Sequence, residues 1–454
     1  MQKRGKKPFL GGIHPTDGFD KALTMEKAVQ EYSPLKVTIL SEQSPGGRCR
    51  FTVQPGDKIK EGSLIGEPDA FTAAPLHASV EGTVMEIKKV QVQGRSIEAC
   101  VIQKEKESSW LSRKYEEELI EFGHLSRENI ISCLYEGGLT GMGGAGFPTY
   151  RKYETQKEIE FLLINGAECE PYLTCDHRLM EEKAPALING IRLLLFASGG
   201  KKAFLCLEDN KPDAAQALNH VLNSQREKEA EIEIKILPTR YPQGGERQLI
   251  QAVLGREVPL DGIPADVGVI VTNVGTAKAA ADMVLGNRPL TRRIVTVSGC
   301  VRNPGNYLVP VGTSAGELIR VCGGVSIEEN RVIQGGPMTG TCAATDYKGE
   351  AELFYVTKNT SGILVLPRTD YQEQPCIRCG GCASVCPAGL VPFQIEIAFM
   401  EEDYDLCEML YAKACIACGC CSYICPAKRD LARRIRMARD QINQRIRERK
   451  VKKG

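Results

Sequence analysis

The sequence predicts a multidomain protein of the α/β and α+β classes: a β-rich head, a Rossmann-like domain, a small α+β module and a helical, cysteine-rich unit. Three observations predict it. Short β-branched runs broken by Pro-Gly and Gly fill the first 110 residues, strand–loop–helix units repeat through the middle, and two cysteine runs stand near the end. At 454 residues the chain is too long for one ordinary core. Hydrophobic residues make up 42% and charged residues 25%, both globular values.

Net charge is +1, so no global field steers the chain toward nucleic acid or acidic substrates. No run of 18 or more apolar residues is present, so no transmembrane helix is expected. The opening MQKRGKKPFLGGIHP is basic but lacks the apolar stretch of a secretory signal. Of 19 cysteines, eight hold the spaced positions of the two runs, and others such as Cys133, Cys206 and Cys300 sit in apolar contexts. Free thiols of this kind point to a reducing cytosol.

In the head, Val53–Glu67 and Ala74–Ile87 read as strands joined by tight turns. Gly56-Asp57, Gly62, Ala74-Pro75, Gly82 and Val84 resemble the barrel-sandwich fold of biotinyl and lipoyl carriers. Such carriers modify a lysine at a hairpin tip. The matching stretch, Asp69–Ala74, has none, so a docking role is expected. His77 reads as a packing or surface histidine. Trp110 to Arg127 reads as a charged, helical linker.

A short helix, Glu128–Tyr135, leads into GGLTGMGGAGFPTYRKYE (Gly137–Glu154). Gly141, Gly143, Gly144 and Gly146 clear side chains from a loop, so backbone N–H groups can approach a phosphate or a flat ring. Lys152 would add positive charge. A glycine loop alone is weak evidence, but the continuation strengthens it. Glu160–Ile164 reads as a strand, with NGAECEPYLTCDHRLM (Asn165–Met180) at its C-terminal end, where α/β folds place ligands. Helix Ala184–Ala197 and strands Lys202–Leu207, Glu231–Leu237 and Val267–Thr272 continue the alternation. Loops at Tyr241–Gly255 and Asn273–Gly286 each open a helix. The usual G-x-G-x-x-G is missing from the first turn.

GMGGAGFPT…K, NGAECEP, YPQGGE and TNVGTA resemble the FMN- and NADH-binding motifs of the flavoprotein subunit of respiratory complex I. The resemblance implies that Gly141, Gly143, Gly144, Gly146 and Lys152 hold FMN, and that Asn165, Glu168 and Glu170 contact flavin and nicotinamide. It also implies that Gly244, Gly245 and Glu246 line the NADH side and that Asn273 meets the flavin. Glu170 and Glu246 are the expected orienting, catalytic pair. Ala167 stands where that family has an aspartate, and Gly245 where it has a glutamate. Downstream, two strands around Asn303-Pro304-Gly305 and helix Ser314–Val321 resemble the β-grasp module that follows the flavin domain in the same family, here expected to be a structural bridge.

The cysteine runs are CIRCGGCASVCP and CIACGCCSYICP. Each matches the C-x2-C-x2-C-x3-C-P run of bacterial ferredoxins, in which one loop wraps three corners of an Fe4S4 cube and the fourth cysteine serves the other cube. Two [4Fe-4S] clusters are therefore expected: Cys376, Cys379, Cys382 and Cys425 on one, Cys415, Cys418, Cys421 and Cys386 on the other. Zinc knuckles also use C-x2-C pairs, but zinc needs only four ligands in all. Cys420 reads as a bystander. After Pro426 a basic helix closes the chain, either as a solvated tail or as an anchor to anionic lipid or an acidic subunit. Its apolar stripe, Leu431, Ile435, Ile442 and Ile446, is thin.

The expected units are 1–115, a barrel-sandwich head; 116–290, a Rossmann-like FMN/NADH domain; 291–366, a β-grasp module; 367–430, a two-cluster ferredoxin-type domain; and 431–454, a basic tail. With GGIHP at Gly11–Pro15 ahead of them, their order resembles the RnfC component of the Rnf electron-transport complex over nearly the whole chain. That resemblance implies a peripheral subunit on the cytoplasmic side of the cell membrane. Its partners would be other subunits of an electron-transport complex, NADH and, indirectly, ferredoxin. It implies hydride exchange between NAD(H) and FMN, then single-electron transfer through the clusters. The alternatives are a cobalamin reductase of the propanediol-utilisation type and a relay subunit without flavin.

Overall fold

The computed structural model describes residues 9–15, 21–43, 47–92, 94–107, 113–144, 146–224, 231–349 and 352–451. The basic opening at 1–8, Trp110 and residues 452–454 lie outside them.

A short strand, β1 (Val29–Glu31), precedes the head. The head itself comprises β2 (Lys36–Leu40), β3 (Cys49–Phe51), β4 (Lys58–Ile59), β5 (Leu64–Pro68), β6 (Leu76–His77), β7 (Gly82–Val92) and β8 (Arg95–Lys104). A four-stranded sheet, β2-β8-β7-β4, and a three-stranded one, β3-β5-β6, share a core of Val37, Ile39, Ile65, Leu76, Val84 and Ile102. Gly82 is required where β7 meets β8, because a Cβ there would lie 1.9 Å from the Gln103 carbonyl oxygen. This is the expected barrel sandwich.

The expected helical linker is not helical. Its described part, from residue 113, holds one 3-10 turn, Lys114–Glu116. Its polar groups are satisfied from outside: Asn189 Nδ2 donates to the carbonyls of Tyr115 (2.9 Å) and Glu118 (2.8 Å), and Arg192 to that of Ile120 (2.8 Å).

The second unit begins with α1 (Arg127–Glu136), closed at its start by a Ser126–Asn129 capping box. It continues through α2 (Thr149–Tyr153), β9 (Phe161–Gly166), α3 (Cys175–Glu182), α4 (Ala184–Ser198), β10 (Lys202–Glu208) and α5 (Pro212–Asn223). Then come β11 (Ile232–Leu237), α6 (Glu246–Leu254), β12 (Val269–Asn273) and α7 (Val274–Gly286). The sheet is parallel throughout, in the order β11-β10-β9-β12. Leu162, Ile164 and Leu205 pack against α4 and α7 on one face, while Leu163, Cys206 and Val271 meet Leu249 and Ile250 of α6 on the other. Burial on both faces explains the nearly continuous apolar strands. The order runs outward from β9 through β10 to β11, then returns to place β12 on the far side of β9. That reversal makes the β9/β12 boundary the topological switch point.

The third unit contains β13 (Arg292–Gly299), β14 (Gly305–Pro310), α8 (Ala315–Val321), β15 (Asn330–Gln334), β16 (Thr341–Thr345) and β17 (Gly362–Pro367). Its six-stranded sheet has the order β1-β14-β13-β17-β15-β16, so the polar β1 from near the chain start completes it.

The last unit is helical: α9 (Gly381–Ser384), α10 (Pro392–Met400), α11 (Tyr404–Met409), α12 (Cys420–Ile424) and α13 (Leu431–Val451). The stripe on α13 is not left for solvent or lipid. Leu431, Ile435 and Ile442 are buried, the latter two against Ile395, Ala398 and Cys407. Buried Glu396 of α10 fixes the helix start, accepting from Arg429 at 2.7 Å and from Arg434. Among the described residues, no helix is long and apolar enough to cross a membrane.

Candidate functional site

Asn165 ends β9 and Asn273 ends β12, and the ladder pairs them directly across the switch point. Asn165 Nδ2 donates to the Gly244 carbonyl at 2.8 Å. Asn273 caps α7 by accepting from the Gly275 amide at 2.8 Å, and its Nδ2 donates to Asp176 at 2.7 Å. The glycine loop lies over this edge: a Cβ at Gly143 would stand 3.6 Å from the Asn273 Cβ. Gly144 has φ +120° and open space on its Cβ side, a conformation closed to other residues. Asn359 Nδ2 holds the Gly144 carbonyl at 2.9 Å, tying the loop to the third unit. Lys152 Nζ bridges Glu246 (3.1 Å) and the Val271 carbonyl (2.9 Å). The expected residues Gly141, Gly143, Gly144, Gly146, Lys152, Asn165, Gly244, Gly245, Glu246 and Asn273 thus gather at one sheet edge. A loop without side chains, a cation and a helix N-terminus at Gly245-Glu246 suit a phosphorylated, flat cofactor.

Two expected ligands have other partners. Both carboxylate oxygens of Glu168 accept α3 amides, from Asp176 (2.7 Å) and His177 (3.1 Å). Glu170 accepts from the Met338 amide (3.1 Å) and the Thr339 hydroxyl, and fills the space beside Gly336. Burial raises its pKa. Through these contacts Glu170, expected to orient a nicotinamide, ties the second unit to the Met338-Thr339 turn of the third. The Ala167 carbonyl accepts from buried Lys211 at 2.7 Å. Asp176 was not singled out by sequence; burial, reinforced by Glu168 and opposed by Arg293, pushes its carboxyl up to about 6.

The cysteine runs fold alike. Arg378 and Ala417 have φ +54° and +55°, and Gly380 and Gly419 +75° and +81°. These turns aim the Arg378 and Ala417 amides at the sulfurs of Cys376 and Cys415, both at 3.4 Å. One recess, about 360 Å³, is lined by Cys376, Cys379, Cys382 and Cys425. Another, about 340 Å³, is lined by Cys386, Cys415, Cys418 and Cys421. Cys425 thus lies with the first three cysteines of the first run, and Cys386 with Cys415, Cys418 and Cys421 of the second. Cys420 also borders the second recess, but is fully buried against Ile13 and Tyr241.

The second recess adjoins the sheet edge. Tyr241, just before Gly244, donates its hydroxyl to the Cys418 carbonyl at 2.7 Å. Cys169 packs in the same cluster and accepts from the Gly244 amide at 3.3 Å. The GGIHP segment is sewn between them: Ile13 and Tyr241 exchange backbone hydrogen bonds, and the Gly12 amide donates to the Val385 carbonyl at 2.9 Å. Exposed Ile377 and half-buried Cys376 mark the first recess as the outer one.

Residues 134–282 match the Nuo51 FMN-binding domain, 7–107 the RnfC barrel sandwich hybrid domain and 294–341 the SLBB domain. Over 446 residues the chain is 39% identical to the RnfC-type component of the Na(+)-translocating ferredoxin:NAD(+) oxidoreductase complex of Acetobacterium woodii, covering 96% of this chain and 97% of that one. The chain belongs to the RnfC family. The counterpart from the proton-translocating complex of Clostridium ljungdahlii is 37% identical, over 88% of this chain and 86% of its own. A Vibrio cholerae member is 34% identical over 89% of this chain, which spans 52% of that longer protein. An NAD+-reducing [NiFe]-hydrogenase structure aligns at TM-score 0.51 and 21% identity, over 70% of this chain and 63% of that one, and shares the fold.

Proposed function

We propose that this chain is the NADH-oxidising, or NAD-reducing, subunit of a membrane-bound ferredoxin:NAD oxidoreductase coupled to ion transport, seated on the cytoplasmic side. In this reading the second unit holds FMN through the glycine loop, Lys152, Asn165 and Asn273, with Gly244, Gly245 and Glu246 on the NAD(H) side. Glu168 and Glu170 support these loops. The third unit is a β-grasp-type brace, and the fourth a ferredoxin-type domain with two [4Fe-4S] clusters ligated as expected. When bound, FMN accepts an electron pair as hydride and releases single electrons, the form that clusters carry.

One observation carries the proposal: Tyr241 and Cys169 join the sheet edge directly to the Cys418 recess. The chain's task there is positional. It excludes water around Tyr241 and Cys420, both nearly fully buried, and fixes the Cys418 backbone. A tetrahedral zinc site would draw four sulfurs to about 3.8 Å apart. Among the described residues, neither cysteine quartet brings three sulfurs within 4.8 Å of one another.

Anaerobic reconstitution with iron, sulfide and FMN tests the reading. It predicts about eight iron atoms per chain and one flavin. Stoichiometric zinc retained in place of iron would reject it.

A further inference from the structure

The head touches the glycine-loop region through its hairpin tip, the stretch expected to carry a modified lysine and lacking one. Phe71 stands there between β5 and β6, 64% exposed, although the neighbouring Ala73 and Ala74 are buried. The head core is complete without it. Its ring centroid lies 6.4 Å from that of Phe147, with the planes inclined at 56°. Phe147 closes the glycine loop, accepting from the Gly141 amide at 2.8 Å. The Arg151 guanidinium sits 4.4 Å from the Phe71 centroid and 4.8 Å from that of Tyr150. Arg151 also holds Glu154 at 3.3 Å. Lys152, the next residue, turns to Glu246 on the cofactor side.

Two inclined rings and a guanidinium thus form an open corner on the rim of the loop. A planar base can lie on one ring and abut the other, with a cation at hand for phosphate. We propose that Phe71 is the head's contribution to the dinucleotide site and stacks on the adenine of NAD(H), with Arg151 facing the linking phosphates. The proposal rests on the reading that NAD(H) is the substrate. It gives the carrier-like head a function here: it supplies one wall of the adenine subsite in place of a swinging lysine. Phe71 is a specificity-determining residue remote from the hydride-exchanging end of the nucleotide.

The test uses the reconstituted full chain and its Phe71→Ala and Phe71→Trp variants, each first checked for unchanged iron and flavin. Calorimetric titration with ADP-ribose, which carries the adenine but no nicotinamide, should show binding weakened roughly five- to fiftyfold by Phe71→Ala and restored by Phe71→Trp. In turnover with an artificial electron acceptor, KM for NADH should rise by a similar factor with kcat little changed. KM for reduced nicotinamide mononucleotide, which lacks adenine, should stay constant. Equal ADP-ribose affinity in wild type and Phe71→Ala, no ADP-ribose binding to either, or parallel KM shifts for both nucleotides would overturn the assignment. The calorimetry needs no redox activity, so failure of the NADH reading and failure of the Phe71 assignment give different results.

Discussion

The Tyr241 hydroxyl donates to the Cys418 carbonyl across the boundary between the second and fourth units, at 2.7 Å and out of contact with water. Residues 177 apart in sequence are thereby locked together where the glycine-loop edge meets the inner cysteine recess.

Removing that hydroxyl leaves the carbonyl buried without its partner. Tyr241→Phe should destabilise the chain by about 1–3 kcal/mol. Denaturant unfolding of the reconstituted protein measures this. Iron and flavin contents should match wild type at the start, with iron at the inner site lost faster in air.

The two recesses predict a partition of iron. Cys418→Ala and Cys379→Ala should each leave roughly half the iron, about four atoms per chain, on different clusters. Distinct residual paramagnetic spectra of the reduced variants check this. Identical spectra would contradict the placement of Cys379 and Cys418 on separate clusters.

Lys152 brings a positive charge to the sheet edge beside the glycine loop and pairs with half-exposed Glu246. Lys152→Ala should weaken FMN binding by roughly tenfold, the scale of one charge-assisted contact, while leaving iron unchanged. Flavin fluorescence titration and iron assay separate the two effects.

Much of this site was legible in the sequence because its chemistry is local. Cysteine spacing specified both cysteine-lined turns, and glycine spacing specified a loop that backbone conformation alone could build. The parallel sheet was equally legible, since strands buried on both faces are apolar throughout. What escaped was long-range pairing. Helix α3 has no side-chain cap from its N-cap residue, its first amides being held by Glu168, and no helix was expected at Cys175–Glu182. The three-residue β1 has no apolar pattern and exists only by pairing with β14. The 113–126 segment looked helical from its charges, but Asn189 and Arg192 bind its carbonyls. The Met338-Thr339 turn that engages Glu170 is likewise remote in sequence.

His77 sits buried where the head meets Lys358, whose Nζ donates to the carbonyls of Pro75 (2.6 Å) and Gly138 (2.7 Å). Burial first, then the Lys358 charge, lowers the imidazole to about 3 from its ordinary 6.5. The folded state therefore keeps His77 neutral while the unfolded chain takes up a proton. Stability contributed by this histidine is complete above pH ~6.5 and is lost as pH falls toward ~3. Thermal unfolding between pH 7 and pH 4 should show this decline, and His77→Phe should flatten it.

The central claim is that reduced nicotinamide delivers electrons, through a flavin at the Asn165–Asn273 edge, to iron–sulfur clusters in the cysteine recesses. The most direct measurement adds NADH to anaerobically reconstituted chain and follows visible absorbance in a stopped-flow spectrometer. The account predicts bleaching of the flavin bands, followed by the broader cluster absorbance. A spectrum unmoved by NADH, from protein holding full flavin and iron, would contradict it.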